Sequence, residues 1–430
     1  MTQIDKTDYS INKVINLAVS AMHPFESLPL PPSGESLKLL DGIRILDLTT
    51  SVAAPYATMM LGDLGAEVVK IERVGAGDDS RAWGPPFLDN QSLWFLSVNR
   101  NKASVTLDYA TEEGLKVLYR LVAAADVVVL NLVPRVQQKL KVDYGSLRAV
   151  RPDLIFVSLT GFGLVGPNAN KSSYDLIAEG YSGVMDITGE ADSPPQKIGT
   201  PAADLLAGMD AVIATQAALL DRARTGKGHC IDISMVESMT RFLTPRIVTY
   251  LGSGEIPRRT GARDSVIAVY QAFDTADEPI TLGLGNDGIW NRFWDAVNQP
   301  EVASDPRFST NAKRHAHRPE ITGKIQEMLR SKPRNEWLAI LDTAKIPAGP
   351  INRVDQIAAD QSLIDRGMFY QLERNGTRVP QVGLGIQFDG VANPPRCPPP
   401  DLGQHTNEVL ERWASLGTDE IRQLHAAGVI

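Results

Sequence analysis

Short apolar runs alternate with longer amphipathic ones through the first half of this chain. Residues 43–49 (IRILDLT) form an apolar run of strand length, 56–66 (YATMMLGDLGA) carry apolar positions at helical spacing and end near glycine, and 67–73 (EVVKIER) return to a strand pattern. The alternation continues through 104–108, the amphipathic 111–125, the apolar 126–133, a helical segment with its start signal at Asp143, and 154–160. Apolar strands separated by amphipathic helices predict βαβ units and a mostly parallel sheet covered on both faces. Ligands bind beyond the carboxyl ends of such strands, so the loops after Thr49, Arg73, Asn131 and Thr160 are the places to look for a site.

A longer helical run follows the stretch KIGTPAADLLAGMDA (197–211) and reaches Arg224. Thr200 and Pro201 are helix start signals, which puts Asp204 in the first turn. Free N–H groups and the helix dipole there favour an ionised carboxylate, the state that covalent catalysis by Asp needs. The same position also suits an ordinary first-turn acid. A strand at 229–235 and a helix through Arg241 and Thr249 come next. From about Arg259 the texture changes to shorter strands with several helices between Ile289 and Ala344. The expected organisation is an extension over 1–37, a large α/β domain beginning at 38–235, a linker helix at 236–260, a smaller α+β domain at 261–345, and a return at 346–430 that completes the large domain. Within the extension, an apolar patch (14–22) precedes a Pro- and Ser-rich stretch suited to a linker.

A chain of 430 residues accommodates two domains, and its 43% hydrophobic and 22% charged content is ordinary for a globular protein. The net charge of −8 leaves no footprint for nucleic acid, so an anionic ligand needs a local basic pocket. Cys230 and Cys397 have neither metal-ligand nor CxxC spacing. No apolar run is read as a membrane span, and the acidic start of the chain lacks a signal-peptide pattern, which leaves the cytoplasm as the expected compartment.

Two glycine patterns invite a dinucleotide assignment. GFGLVG (161–166) follows a strand but leads into a Pro- and Asn-containing loop rather than a helix. GLGNDG (283–288) places an acid where phosphate would approach. Both are rejected. His229, His315, His317 and His405 lack metal or dyad spacing, and RHAHR reads as a solvated helix face. No nucleophile elbow or phosphate-cradling lysine loop is present. Arg73, Arg100, Lys102, Arg135, Lys139 and Lys141 cluster near the early strand ends and as a group could offset a polyphosphate. Trp83 suits either core packing or a pocket wall.

Taken together, LDGIRILDLTTSVAAPYATMMLGDLGAEVVKIERVGAGD, NRNKASVTLD, ADVVVLNLVP, LTGFGLVGP, SYDLIAEGYSG, GTPAADLLAG, TGKGHCIDISMVES, IPAGPINRV and LGQHTNEVL resemble the class III CoA-transferases, the group of formyl-CoA transferase, carnitine CoA-transferase and the bile-acid-inducible F protein. The likeness runs in order from about Leu40 to the C-terminus. It implies a Rossmann-like large domain built from both chain ends, a smaller domain, and an interlocked homodimer. It also implies that Asp204 is the nucleophile, that Val52, Ala53, Arg73, Asn131, Lys139 and Tyr174 line a coenzyme A channel, and that acyl-CoA and small carboxylic acids are the substrates, with no tightly bound cofactor and no metal. Formyl-CoA transferase carries Gln at the position of Val52 and a glycine-rich loop with no equivalent between Gly254 and Val269, so oxalate and formate are poor guesses. A dicarboxylate pair with succinyl-CoA as donor is preferred.

Acyl-CoA racemases share the fold but use His where this chain has Tyr174, and a neutral phenol is a poor base near pH 7. Racemase activity is therefore the runner-up. A silent CoA-binding subunit, which would not need Asp204, is a third possibility. Asp175 is ambiguous between helix cap and support for the site, with structure favoured.

Overall fold

The computed structural model describes residues 23–430, and the 14–22 patch lies outside them. Six strands form the large sheet: β1 (Arg44–Leu48), β2 (Glu67–Glu72), β3 (Lys102–Thr106), β4 (Val127–Leu130), β5 (Ile155–Thr160) and β6 (His229–Ser234). Their order is β3-β2-β1-β4-β5-β6 and every pairing is parallel, the doubly wound arrangement in which strand order reverses between β1 and β4.

Neighbouring residues on each strand divide between two cores because successive side chains point to opposite faces. Ile45, Val68, Val127 and Ile155 face α1 (Ala53–Asp63), α3 (Asp175–Ser182), α4 (Ala202–Thr225) and α5 (Met235–Phe242). Leu46, Val69, Val128 and Phe156 face α2 (Glu112–Ala124) and the C-terminal helices Thr406–Ala414 and Thr418–Ala426. The chain end is tied to this sheet: His405 N–H donates to Ser104 O (2.9 Å) and Asp108 N–H to Val429 O (2.8 Å). Residues 28–37 are also engaged rather than free, since Gln371 bonds to Leu28 and Pro29 carbonyls and Leu37 N–H donates to Asn393.

Helix α4 joins α1 through small residues. A Cβ at Gly208 would lie 2.6 Å from Ala53 O, so only glycine permits this approach. The same alanine-rich composition gives α4 its length of 24 residues and mean hydropathy of 1.4 over the most apolar window, enough by length and composition to cross a membrane. That corrects the sequence expectation of no such run. The helix nevertheless buries Ala203, Ala207, Ala211 and Val212 inside the large core.

A separate core around Trp290, Phe293 and Trp294 packs on a three-stranded antiparallel sheet whose order is Ala348–Pro350, Ile280–Gly283, Tyr270–Phe273. RHAHR is solvated only in part, with His315 and Ala316 exposed. Arg314 is buried, donates to Phe308 O (2.7 Å) and lies over the Trp290 ring at 4.6 Å. The neighbouring GLGNDG segment supplies a helix cap, Asn286 Oδ1 accepting from Ile289 N–H at 2.9 Å.

Candidate active site

The ends of β1, β2 and β3 and the segment after β4 surround a cavity of about 490 Å³, lined by Thr49, Thr50, Arg73, Asp108, Tyr109 and Leu140 among others. It lies beside the reversal of strand order, where the β1–α1 and β4 loops separate. Asn131 ties those loops together: it accepts from Thr50 N–H (3.1 Å) and donates to Thr50 O (2.8 Å).

Beneath the cavity runs a buried ionic network set by strand register, because Asp47 stands beside Lys70 on the adjacent strand. Lys70 Nζ meets Asp78 at 2.8 Å and donates to Thr49 O at 2.7 Å, while Lys102 meets Asp47 at 3.1 Å. Burial pushes the Asp47 carboxyl up, but Lys102, Lys70 and the Thr49 and Thr58 hydroxyls outweigh it and hold it down to about 2. Burial, reinforced by the Lys70 charge, lowers Lys102 to about 8 despite Asp47. Asp78 Oδ1 accepts the Ser51 N–H (3.0 Å), and Ser51 has a left-handed φ of 72° that a non-glycine residue adopts only when held. The network thus fixes the loop leading into Val52 and α1.

Asp204 sits in the first turn of α4, half-buried, and its surroundings differ from the sequence expectation. Pro201 at the helix start offers no side-chain cap. Asp175, the first residue of α3, supplies one: its Oδ1 accepts from Ala203 N–H (2.8 Å) and Asp204 N–H (3.3 Å). The remaining first-turn amides are also engaged, Ala202 with Thr200 O and Leu205 with Pro201 O. The helix start therefore has no amide free for an oxyanion. Among the described residues no donor reaches the Asp204 carboxylate, and burial together with the Asp175 charge raises it to about 7. Glu179, one turn along α3, is pushed up by burial and by Asp175, and accepts from Ile198 N–H at 2.9 Å. Three acids thus share one corner of the fold.

The profile of CoA-transferase family III matches residues 40–406. The chain belongs to CoA-transferase family III. It is 37% identical over 399 residues to the succinyl-CoA:glutarate CoA-transferase of Mus musculus, covering 92% of this chain and 91% of that one. It is 38% identical over 378 residues to the succinate–glutarate CoA-transferase of Agrobacterium fabrum (86% and 94% covered), and 34% identical over 392 residues to the acetyl-CoA:oxalate CoA-transferase of Acetobacter aceti (91% and 98%). A crystal structure of a CaiB/BaiF family protein from Brucella suis superposes with a TM-score of 0.77 at 39% identity, covering 87% of this chain and 99% of that one. The protein is accordingly a class III CoA-transferase, an enzyme that moves coenzyme A between carboxylic acids.

Within this class III CoA-transferase, Arg73 lines the cavity, with Nε donating to Gly77 O (3.1 Å) and a pairing to Asp79. Lys139 ends the helix Pro134–Lys139, exposed, one residue before cavity-lining Leu140. Val52 and Ala53 are buried at the start of α1, which abuts Gly208, one turn beyond Asp204. Tyr174 precedes α3 and is 65% exposed. Arg100 and Lys102 are committed to partners inside the fold. Arg100 is buried in a two-pronged pair with Asp63 (2.9 and 2.6 Å), and Lys102 lies in the ionic network. Trp83 packs edge-on against Trp94 at 5.9 Å and is not part of the cavity lining. Sequence reasoning missed Lys70, Asp78 and Glu179, whose partners lie on other elements.

Proposed function

We propose that this CoA-transferase exchanges coenzyme A between dicarboxylic acids, with succinyl-CoA or a similar dicarboxylyl-CoA as donor and Asp204 as the covalent nucleophile. The observation that carries the reading is the Asp204 carboxylate, half-buried, without a hydrogen-bond donor, and raised to about 7. Such a carboxylate is more basic than an ordinary Asp and carries little solvation to shed on attack.

One Asp204 oxygen attacks the thioester carbonyl, the C–S bond breaks, and a mixed anhydride and CoA thiolate result. The thiolate attacks the aspartyl carbonyl of the anhydride, releasing the donor acid and leaving an aspartyl-CoA thioester. The acceptor carboxylate then attacks that thioester, freeing CoA thiolate again. The thiolate takes the acceptor's acyl carbon and returns Asp204 as a carboxylate. The charge that develops on each attacked carbonyl oxygen needs donors. Those of α4 are engaged by Asp175, and the N–H groups of Ala53 and Ala54 at the uncapped start of α1 fit the role. The cavity at the strand ends, with Arg73 on its wall and Lys139 beside it, suits the nucleotide end of CoA.

The naming of relatives after succinyl-CoA with glutarate supports a dicarboxylate pair. Tyr174 in place of a histidine base disfavours racemisation. The exposure of apolar Met209, Ile213 and Leu220 on α4 and of Phe242, Val248 and Leu251 on the next two helices fits burial in an interlocked homodimer.

Mixing the enzyme with succinyl-CoA, quenching with hydroxylamine and mapping the modified peptide tests the mechanism. Modification at Asp204 is expected. An unlabelled Asp204 with acetyl-, butyryl- and aryl-CoA donors as well, together with α-proton exchange into a 2-methylacyl-CoA, would replace this reading with the racemase.

A further inference from the structure

A second cavity, of about 770 Å³, lies between the linker at 257–265, the strands Tyr270–Phe273 and Ile280–Gly283, and the return segment at 347–351. Its wall carries Arg246, Arg258 and Arg263 against one acid, Asp264. That acid is already engaged: it pairs with Arg246 at 3.3 Å and accepts the N–H groups of Val266 (2.7 Å) and Ile267 (2.8 Å). Among the described residues Arg258 and Arg263 have no carboxylate partner.

Arg318 stands behind this wall. Its Nη1 donates to Asp264 O at 2.7 Å, while its Nε and Nη2 are buried without an acceptor. Burial and the neighbouring Arg263 charge both act on it, disfavouring its charged state. Arg258, and Arg263 with only its Nε engaged by Thr260 O (3.2 Å), stand on the cavity wall without a carboxylate, and in a chain of net charge −8 they leave a local demand for an anion. Ile187, Leu282, Pro347 and Ile351 give the rest of the lining an apolar character suited to methylenes. A short acid with a carboxylate at each end combines these two properties.

Ile187 also links the cavity to the element bearing the nucleophile. It shares one core with Ala202 and Leu206 of α4, and Gly261 on the linker donates to Gly189 O at 2.9 Å. We propose that this arginine-lined cavity recognises the non-reacting carboxylate of the dicarboxylic acid, and that Arg258 and Arg263 set the preference for dicarboxylates over monocarboxylates. The inference rests on the proposed exchange between dicarboxylic acids and adds the residues that select them.

Isothermal titration of glutarate, pentanoate and CoA, each alone, into wild-type enzyme and the Arg258→Gln/Arg263→Gln double variant tests the site. Both arginines are exposed, so folding is expected to survive, and Arg263→Lys in the Arg258 background should restore part of the binding. The expected result is a glutarate Kd raised roughly tenfold or more, matching the loss of a charge-assisted contact. Pentanoate and CoA binding should be unchanged, and the rate preference for glutarate over pentanoate should fall by a similar factor. Unaltered glutarate affinity would overturn the assignment, as would a loss confined to CoA, which would make the cavity a phosphate site. Loss of glutarate binding in an enzyme whose wild type transfers no CoA to any dicarboxylate would sink the proposed activity but support the site.

Discussion

Replacing Asp175 by Asn separates two roles that one carboxylate performs. Its Oδ1 caps the helix bearing Asp204, and its charge raises the Asp204 carboxyl. Asn keeps an acceptor for the Ala203 and Asp204 N–H groups and removes the charge. Burial is the larger of the two causes of the rise from 3.8 to about 7, so Asp175 accounts for at most half of it. The variant should therefore lower the Asp204 pKa by roughly 1 unit, about 1.4 kcal/mol of differential interaction. On the proposed mechanism Asp204 must be ionised to attack, so the donor half-reaction in wild-type enzyme should accelerate with pH and level off above about 7. In Asp175→Asn the same profile should level off about one unit lower. Asp175→Ala, which loses the cap as well, should show a similar profile shift plus about 1 kcal/mol of lost stability. The assay is single-turnover formation of the hydroxylamine-trapped Asp204 adduct from succinyl-CoA between pH 5 and 8.5. A wild-type profile flat across that range, or an Asn variant whose midpoint stays put or rises, would refute the reasoning.

Asp204→Asn should abolish the trapped adduct and CoA transfer while raising the Tm at pH 8. An acid whose folded pKa exceeds the unfolded 3.8 binds its proton more tightly when folded, so it costs stability as pH climbs from about 4 through 7. The Tm gain should vanish near pH 4, which calorimetry at both pH values checks. Gly208→Ala introduces a Cβ 2.6 Å from Ala53 O. It should destabilise the enzyme by about 1–3 kcal/mol in urea titrations and slow transfer by displacing the start of α1. Lys70→Met leaves Asp78 buried and unpaired and should cost about 3–5 kcal/mol. It should also raise the KM for acyl-CoA, since the Thr49 carbonyl loses its donor and the Asp78 that holds Ser51 loses its anchor.

The parallel sheet was legible because its strands are apolar on both faces and its helices amphipathic, and the elements fall within a few residues of their expected bounds. The place of Asp204 was legible too, since Thr200 and Pro201 announce the helix. Its electrostatics were not. The group that caps the helix and raises the carboxyl lies 29 residues upstream, so the usual rule that first-turn acids are stabilised as anions gave the wrong direction. The basic residues failed for a related reason. Arg100 finds Asp63, 37 residues away in sequence, and Lys102 finds Asp47 two strands across. A charge read from sequence looks available until the fold supplies its partner.

That separation bears on how the strand-end crevice works without a glycine-rich phosphate loop. In the usual dinucleotide fold, glycines let the first βα turn adopt conformations closed to other residues and bring its backbone close to the ligand. Here the turn contains Ser51 in the left-handed region, with neither glycine nor a side-chain cap to favour it. Asp78 holds its N–H, Lys70 holds Asp78 and the Thr49 carbonyl, and Asn131 holds Thr50 from both sides. Three side chains making four hydrogen bonds to the turn replace conformational freedom by constraint. The constrained turn ends at Ala53, whose carbonyl abuts Gly208 and whose N–H heads the uncapped α1. A turn built this way is rigid before substrate arrives, which the proposed attack by Asp204 at a fixed distance would need.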